Sequence, residues 1–364
     1  MKLCGRPPNS RSGGTDRRHE RQGTTMNQQL LPTAVVGSYS VPEWLERIAT
    51  DYFQRRISAD TLHQIQDVAI KAAVKDQELA GIDVITDGEL RRDNMVDHFA
   101  VRLAGVEIDR RQKAYYFDYY EAVARHALPQ APLGLSDEFL FARRITDHEV
   151  KFCITGPHTL AKRIGDEWYH DERAFARDLA RVLNAELRTL VANGATFLQV
   201  DEPYLSGFPD DLDWMVDVWN ALLEGVDART GLHICYGNRY GKPSWEGSYR
   251  YLFPRILAVQ VDQLLLEFAR KGTDDLVLFQ EFPNQFELGM GVVDVKDDRV
   301  ETPAEIAARI RQGLEIVPAE RLWLNPDCGL RHLAPDVAYA KLEALAQGAA
   351  LVREELAGRR AEER

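Results

Sequence analysis

Leu232-His233-Ile234-Cys235-Tyr236-Gly237 is the stretch from which the rest of the chain can be read. Read as a β-strand, it places residues i and i+2 on the same side. His233 and Cys235 then present an imidazole and a thiol together, and both are good zinc ligands. Two later strand-like runs end in residues of the same kind. Glu267 closes Gln263-Leu264-Leu265-Leu266-Glu267, and Cys328 follows Leu324-Asn325-Pro326-Asp327.

Strand-like and helix-like runs alternate on both sides of that stretch. Ala34-Val35-Val36-Gly37-Ser38 reads as a first strand, and further strands are expected over 83–88, 151–155 and 196–201. His233 and Cys235 lie on the fifth. The sixth is expected over 261–267, the seventh near 291–295 and the eighth over 321–325. Helical spacing runs between them, for example Leu62, Ile65, Ala69 and Ala72 after Ser58, closed by Gly81. Thr302-Pro303-Ala304-Glu305 is a capping box with proline at the first helical position. A final helix is expected over 335–356. Mostly apolar strands alternating with helices indicate an α/β protein with an all-parallel sheet covered on its outer face. Eight such repeats in roughly 320 residues fit a (β/α)8 TIM barrel. A doubly wound open sheet is the competing architecture, but no Gly-x-Gly-x-x-Gly follows the first strand.

The remaining segments are peripheral to that barrel. The long stretch 90–148, with the aromatic run Ala114-Tyr115-Tyr116-Phe117-Asp118-Tyr119-Tyr120, reads as an inserted excursion over the C-terminal face. Residues 1–30 read as a disordered tail, since the first 25 are rich in Arg, Gly, Ser and Pro and nearly lack large apolar side chains. Residues 31–356 form a single barrel domain in this reading, and 357–364 a frayed end.

Composition narrows the function classes. The net charge of −12 argues against a nucleic-acid or anionic-membrane partner. No apolar run approaches the ~20 residues that span a bilayer. Four cysteines are too few for a disulfide scaffold and suit a reducing, cytoplasmic setting.

In a barrel, chemistry gathers where strands end. Here the strand ends carry Gly37-Ser38, Asp87-Gly88-Glu89, Asp201-Glu202-Pro203, His233 with Cys235, Glu267, Asp294 and Asp327-Cys328. His233, Cys235, Glu267 and Cys328 would give a nitrogen, sulfur, oxygen, sulfur donor set for which zinc is the best chemical match. Two thiolates and a carboxylate leave such a site about one negative charge, so a thiolate bound there stays nucleophilic. Glu281, in Gln280-Glu281-Phe282, is the rival carboxylate, and Cys153, inside a strand, reads as core. Glu89 and Asp201 can bind an ammonium group or serve as general acid or base, and the backbone at Gly37 and Ser38 can hold a carboxylate.

These residues together resemble the catalytic half of cobalamin-independent methionine synthase, over about residues 31 to 355. The resemblance is carried by Val36-Gly37-Ser38, Asp87-Gly88-Glu89-Leu90-Arg91-Arg92-Asp93-Asn94-Met95-Val96-Asp97-His98-Phe99, Gln199-Val200-Asp201-Glu202-Pro203, His233-Ile234-Cys235-Tyr236, Leu266-Glu267 and Pro318-Ala319-Glu320-Arg321-Leu322-Trp323-Leu324-Asn325-Pro326-Asp327-Cys328-Gly329-Leu330. It implies a barrel with Zn2+ held by His233, Cys235, Glu267 and Cys328. It implies that Gly37 and Ser38 hold the carboxylate of homocysteine, and that Glu89 and Asp201 hold its ammonium. The implied reaction is that of a 5-methyltetrahydropteroyltriglutamate–homocysteine S-methyltransferase, in which a thiolate takes a methyl group.

Two departures bear on the donor. This chain has one barrel where the full-length family has two. The family's Asp-x-His after strand seven reads Asp294-Val295-Lys296, so Asp294 and Lys296 are the candidates for the acid step. Single-barrel relatives include thiol-alkylating enzymes such as epoxyalkane:coenzyme M transferase, which keeps another small thiol, or a C–S lyase reaction, as the alternative. The methyl donor is left open among a methylfolate, a methylcorrinoid protein and another small methyl compound.

Overall fold

Ten strands follow one another in the computed structural model, which describes residues 29–113 and 119–362. They are β1 (Val84–Ile85), β2 (Val106–Lys113), β3 (Tyr120–Ala124), β4 (Glu149–Thr155), β5 (Gly165–Asp166), β6 (Phe197–Asp201), β7 (Arg229–Ile234), β8 (Gln263–Glu267), β9 (Glu287–Val293) and β10 (Leu322–Pro326). Most of the tail expected at 1–30, and residues 114–118 of the aromatic run, lie outside the described residues.

Seven strands make one all-parallel sheet in the order β1-β4-β6-β7-β8-β9-β10. Residues 33 and 34 connect its two edges, Thr33 bridging Leu324 of β10 and Ala34 bridging Val84 of β1. The Ala34 N–H donates to the Leu324 carbonyl at 2.8 Å, and the Val84 N–H to that of Thr33 at 3.0 Å. The sheet therefore curls round a closed interior, the α/β, TIM-like arrangement expected from the alternating pattern.

The expected first strand over 34–38 is corrected by the structure: it goes no further than those bridges. Its carbonyls are taken by side chains of neighbouring strands instead of by a ladder. Val36 O accepts from Cys153 Sγ at 3.1 Å and from Gln199 Nε2 at 2.6 Å, and Gly37 O accepts from Thr86 Oγ1 at 2.6 Å. β9 starts earlier than the span near 291–295. The final helix, Pro335–Glu362, continues through residues beyond Leu356 that were expected to fray. The inserted segment holds a helix, Ser136–Arg144, and two strands of a separate sheet in the order β2-β3-β5.

The helices between strands form as their caps require. The Asp171 side chain accepts the N–H groups of Arg173 and Ala174 at the start of Glu172–Ala192. Thr302 and Glu305 complete the capping box of Pro303–Leu314. Leu179, Leu183, Leu187 and Leu190 of Glu172–Ala192 are fully buried, each contributing about 2 kcal/mol by removal from water.

The N-terminal end of the barrel is plugged. Ala34, Val84, Phe197 and Trp323 form their own apolar cluster, with Phe197 and Trp323 edge to face at 5.7 Å. The Arg229 guanidinium covers Trp323 at 4.6 Å and pairs with Glu287 at 2.7 Å. Only the opposite, C-terminal ends of the strands are left to build a site.

Candidate active site

His233 is the last residue but one of β7 and is buried. In the sheet register it faces Asp201, which ends β6, and its Nδ1 lies 3.2 Å from Asp201 Oδ1. Behind Asp201 the same oxygen accepts from Gln199 Nε2 at 2.7 Å, and Gln199 Oε1 accepts from Lys151 Nζ at 2.5 Å. This relay fixes the ring from its far side. The other ring nitrogen, Nε2, is buried with no hydrogen-bond partner. Burial works against charge on the ring, and Asp201 and Cys328 together outweigh it, so His233 is pushed up to about 9.

Cys235 is the first residue past β7, and Cys328 lies just beyond β10. Their sulfurs are 3.7 Å apart. One ligand atom from each of His233, Cys235 and Cys328 lies within 4.8 Å of the others. The hydrogen bond from Cys235, with His233 and Lys296 near by, holds the Cys328 thiol well below its usual range, against the effect of burial. The Cys235 thiol goes up in turn, through its hydrogen bond with Cys328 and its burial.

Glu267, expected as a fourth ligand, ends β8 and is fully buried. It does not join the trio at that spacing. Its Oε1 accepts the Tyr236 N–H at 3.2 Å and its Oε2 the Lys296 ammonium at 2.5 Å. Burial raises the Glu267 carboxyl and Lys296 opposes the rise. Asp294 accepts the N–H of Lys296 at 2.8 Å, and neither residue lines the cavity at the barrel mouth. Glu281 is out at the surface, paired with Arg250.

That cavity, of about 1910 Å³, is lined by Gly37, Ser38, Glu89 and Asp201 together with His233, Cys235 and Cys328. A Cβ on Gly37 would meet Glu89 Oε1 at 2.7 Å, so glycine is what lets this carboxylate come close. Arg92 pairs with Glu89 at 3.0 Å. Burial nevertheless pushes the Glu89 carboxyl up to about 7, with Arg92 working the other way and Asp201 adding to the rise. Cys153 is buried, its thiol donating to Val36 O, and burial pushes that thiol up, as suits a core residue.

Two contributors were not singled out from sequence, and a third, Asp327, only as a strand-end acid. Lys151 and Gln199 build the relay behind His233, and a lysine inside an otherwise apolar strand was the available signal. Asp327 accepts the N–H groups of Phe268, Ala269 and Arg270 at 3.0, 2.9 and 2.8 Å, tying the end of β8 to that of β10. Burial, with Glu267 near by, pushes its carboxyl up to about 7.

Residues 31–351 match the family described as cobalamin-independent synthase, catalytic domain. A methionine synthase of Sulfurisphaera tokodaii is 37% identical over 330 residues, covering 90% of this chain and 94% of that protein. One of Saccharolobus solfataricus is 38% identical over 331 residues, covering 90% and 96%. A solved B12-independent methionine synthase of Shewanella sp. W3-18-1, in complex with selenomethionine, is 28% identical with a TM-score of 0.80, covering 90% of this chain and 99% of that one. Among the described residues no helix is long and apolar enough to cross a membrane.

Proposed function

The chain belongs to the cobalamin-independent synthase catalytic-domain family, and on that premise we propose that it is a cobalamin-independent methionine synthase, transferring a methyl group to the sulfur of homocysteine. The observation that carries the reading is the trio His233, Cys235 and Cys328 beside the carboxylates of Glu89 and Asp201, all on one cavity. The Shewanella relative, whose structure holds the selenium analogue of methionine, supports it.

The donor set fits a metal. Two soft sulfurs lie 3.7 Å apart, and the buried Nε2 of His233 has no other partner. Sulfur and imidazole favour zinc, with His233, Cys235 and Cys328 as its ligands and Glu267 beside them. Zinc bound there would lower the pKa of a substrate thiol so that thiolate forms near neutral pH. Gly37 and Ser38 would take the amino-acid carboxylate, and Glu89 and Asp201 the ammonium, which orients the sulfur toward the trio. The Lys151-Gln199-Asp201 relay keeps the His233 ring in place while Asp201 serves the substrate.

The thiolate sulfur attacks the methyl carbon, a sulfur–carbon bond forms, and the bond to the donor breaks with its electron pair leaving on the donor. The cavity is larger than homocysteine alone needs, which leaves room for a donor of the size of a methylfolate or for the reactive end of a methylcorrinoid protein. The expected setting is the cytoplasm.

Purified, zinc-loaded protein is expected to form methionine from homocysteine with one of these donors. Cys328→Ser should lose at least roughly 100-fold in rate and retain zinc more weakly. Full zinc content and full activity in that variant would overturn the assignment. Product formed only from another thiol would favour an alkyl transferase of different specificity.

A further inference from the structure

Arg92 is a buried cation, its side chain only 2% exposed, and its Nη1 lies 3.0 Å from Glu89 Oε1. Its Nη2 donates to the carbonyl of Cys153, in β4, at 2.7 Å. The guanidinium also lies over the rings of Phe99 and Phe152, at 5.4 and 5.6 Å. Burial works against its charge, and Glu89, Asp87 and Glu138 outweigh that effect. Glu138 belongs to the helix Ser136–Arg144 of the inserted segment and is itself tied to His98 at 3.1 Å and to Arg102 at 2.9 Å.

We propose that Arg92 is a positioning residue for the amino-acid substrate: it ties one oxygen of Glu89 to β4, so that the other meets the substrate ammonium as a carboxylate. The proposal rests on the amino-acid reading of the cavity above. One oxygen of Glu89 and one of Asp201 lie within 4.8 Å of each other, a spacing that a single ammonium can bridge. Two carboxylates this close, one of them buried, tend to share a proton, and a shared proton removes the charge that the ammonium needs. Arg92 opposes that outcome from behind the pair, because it reaches Glu89 and is anchored on the Cys153 carbonyl.

The other charged or titratable groups that face Glu89 are Asp87 of its own turn, Asp201 of β6, Lys151 and Cys153 of β4 and Arg331 beyond β10. Among its neighbours Arg92 acts on Glu89 most strongly. Burial still pushes the Glu89 carboxyl up to about 7, so loss of the guanidinium would leave it protonated at neutral pH. The cost would fall on ligands that carry an ammonium and spare those that do not. A role in folding alone would not discriminate in that way.

The test is a calorimetric titration of the zinc-loaded full-length protein with two probes. L-Methionine carries the ammonium and carboxylate without a thiol, and 4-mercaptobutyrate is homocysteine without its ammonium. Arg92→Met is expected to weaken methionine binding about tenfold or more near neutral pH, with the deficit shrinking toward about pH 8.5 as Glu89 ionises. Binding of 4-mercaptobutyrate should stay within about threefold of the unsubstituted protein. Added to Glu89→Gln, the same substitution should cost methionine binding less than about twofold more, because Arg92 acts through Glu89. The proposal is overturned if Arg92→Met binds methionine normally, if both probes weaken alike at every pH, or if the two substitutions add in full. Should Arg92→Met fail to fold, Arg92→Lys decides, since it keeps a charge and gives up the anchor on the Cys153 carbonyl. Methionine should then bind about threefold more weakly with 4-mercaptobutyrate unaffected, and equal effects on the two probes would contradict the proposal. If neither probe binds the unsubstituted protein, the amino-acid reading of the cavity fails, and this inference with it.

Discussion

Glu89 has a positive φ of 57°, and Gly37 and Arg92 crowd its carboxylate. Burial pushes it up to about 7, so its charge changes in the range where the protein works. A substrate ammonium is held by the carboxylate form, and protonation removes that form. Homocysteine binding should therefore weaken as pH falls below about 7, approaching tenfold per pH unit, and level off above it. A KM profile from about pH 6 to pH 8.5 measures this. Glu89→Gln should show a higher KM with that dependence gone, and an unchanged slope in the variant would assign the titration to another group. At this scale the sequence was informative where local geometry decides. His233 and Cys235 are two apart on a strand, so their juxtaposition needs no knowledge of the rest of the fold. The Lys296–Glu267 pair was illegible because 29 residues separate its members and no periodicity links them.

The ends of β7, β8 and β10 must be held in register for the trio to form, and Asp327 does much of this. Its room is provided by Gly291 of β9. A Cβ at Gly291 would lie 2.1 Å from Asp327 Oδ1 and 2.9 Å from Asp327 Cα, so an added methyl has to displace backbone. Gly291→Ala is expected to lower stability by about 1–3 kcal/mol, measured by urea denaturation, with weaker metal retention. An unchanged midpoint would show that the end of β10 is not held this closely. The strands β4, β6, β8 and β10 were legible because each is buried along nearly all its length and carries a run of apolar residues with only isolated polar ones. Residues 34–38 are equally apolar and failed as a strand. Side chains from β4 and β6 capture the carbonyl of Val36, and no local pattern in 34–38 announces donors more than 100 residues away.

Across the whole molecule, the barrel sorts its two ends by chemistry. Phe197, Trp323 and the Arg229–Glu287 pair close the N-terminal end, and the ligand-type and carboxylate residues collect at the other. That division was readable from the strand-end residues once the alternation of strands and helices was counted. The shape of the inserted segment was not, since its small sheet depends on β5, which lies beyond the segment and is two residues long. A thiol-activating zinc is proposed for this rim. Zinc K-edge X-ray absorption of the purified protein, before and after homocysteine, tests it most directly. Two sulfurs and one imidazole nitrogen are expected before the thiol is added, and three sulfurs after it. A sulfur count that does not rise with homocysteine, or a protein that binds no zinc, would contradict it.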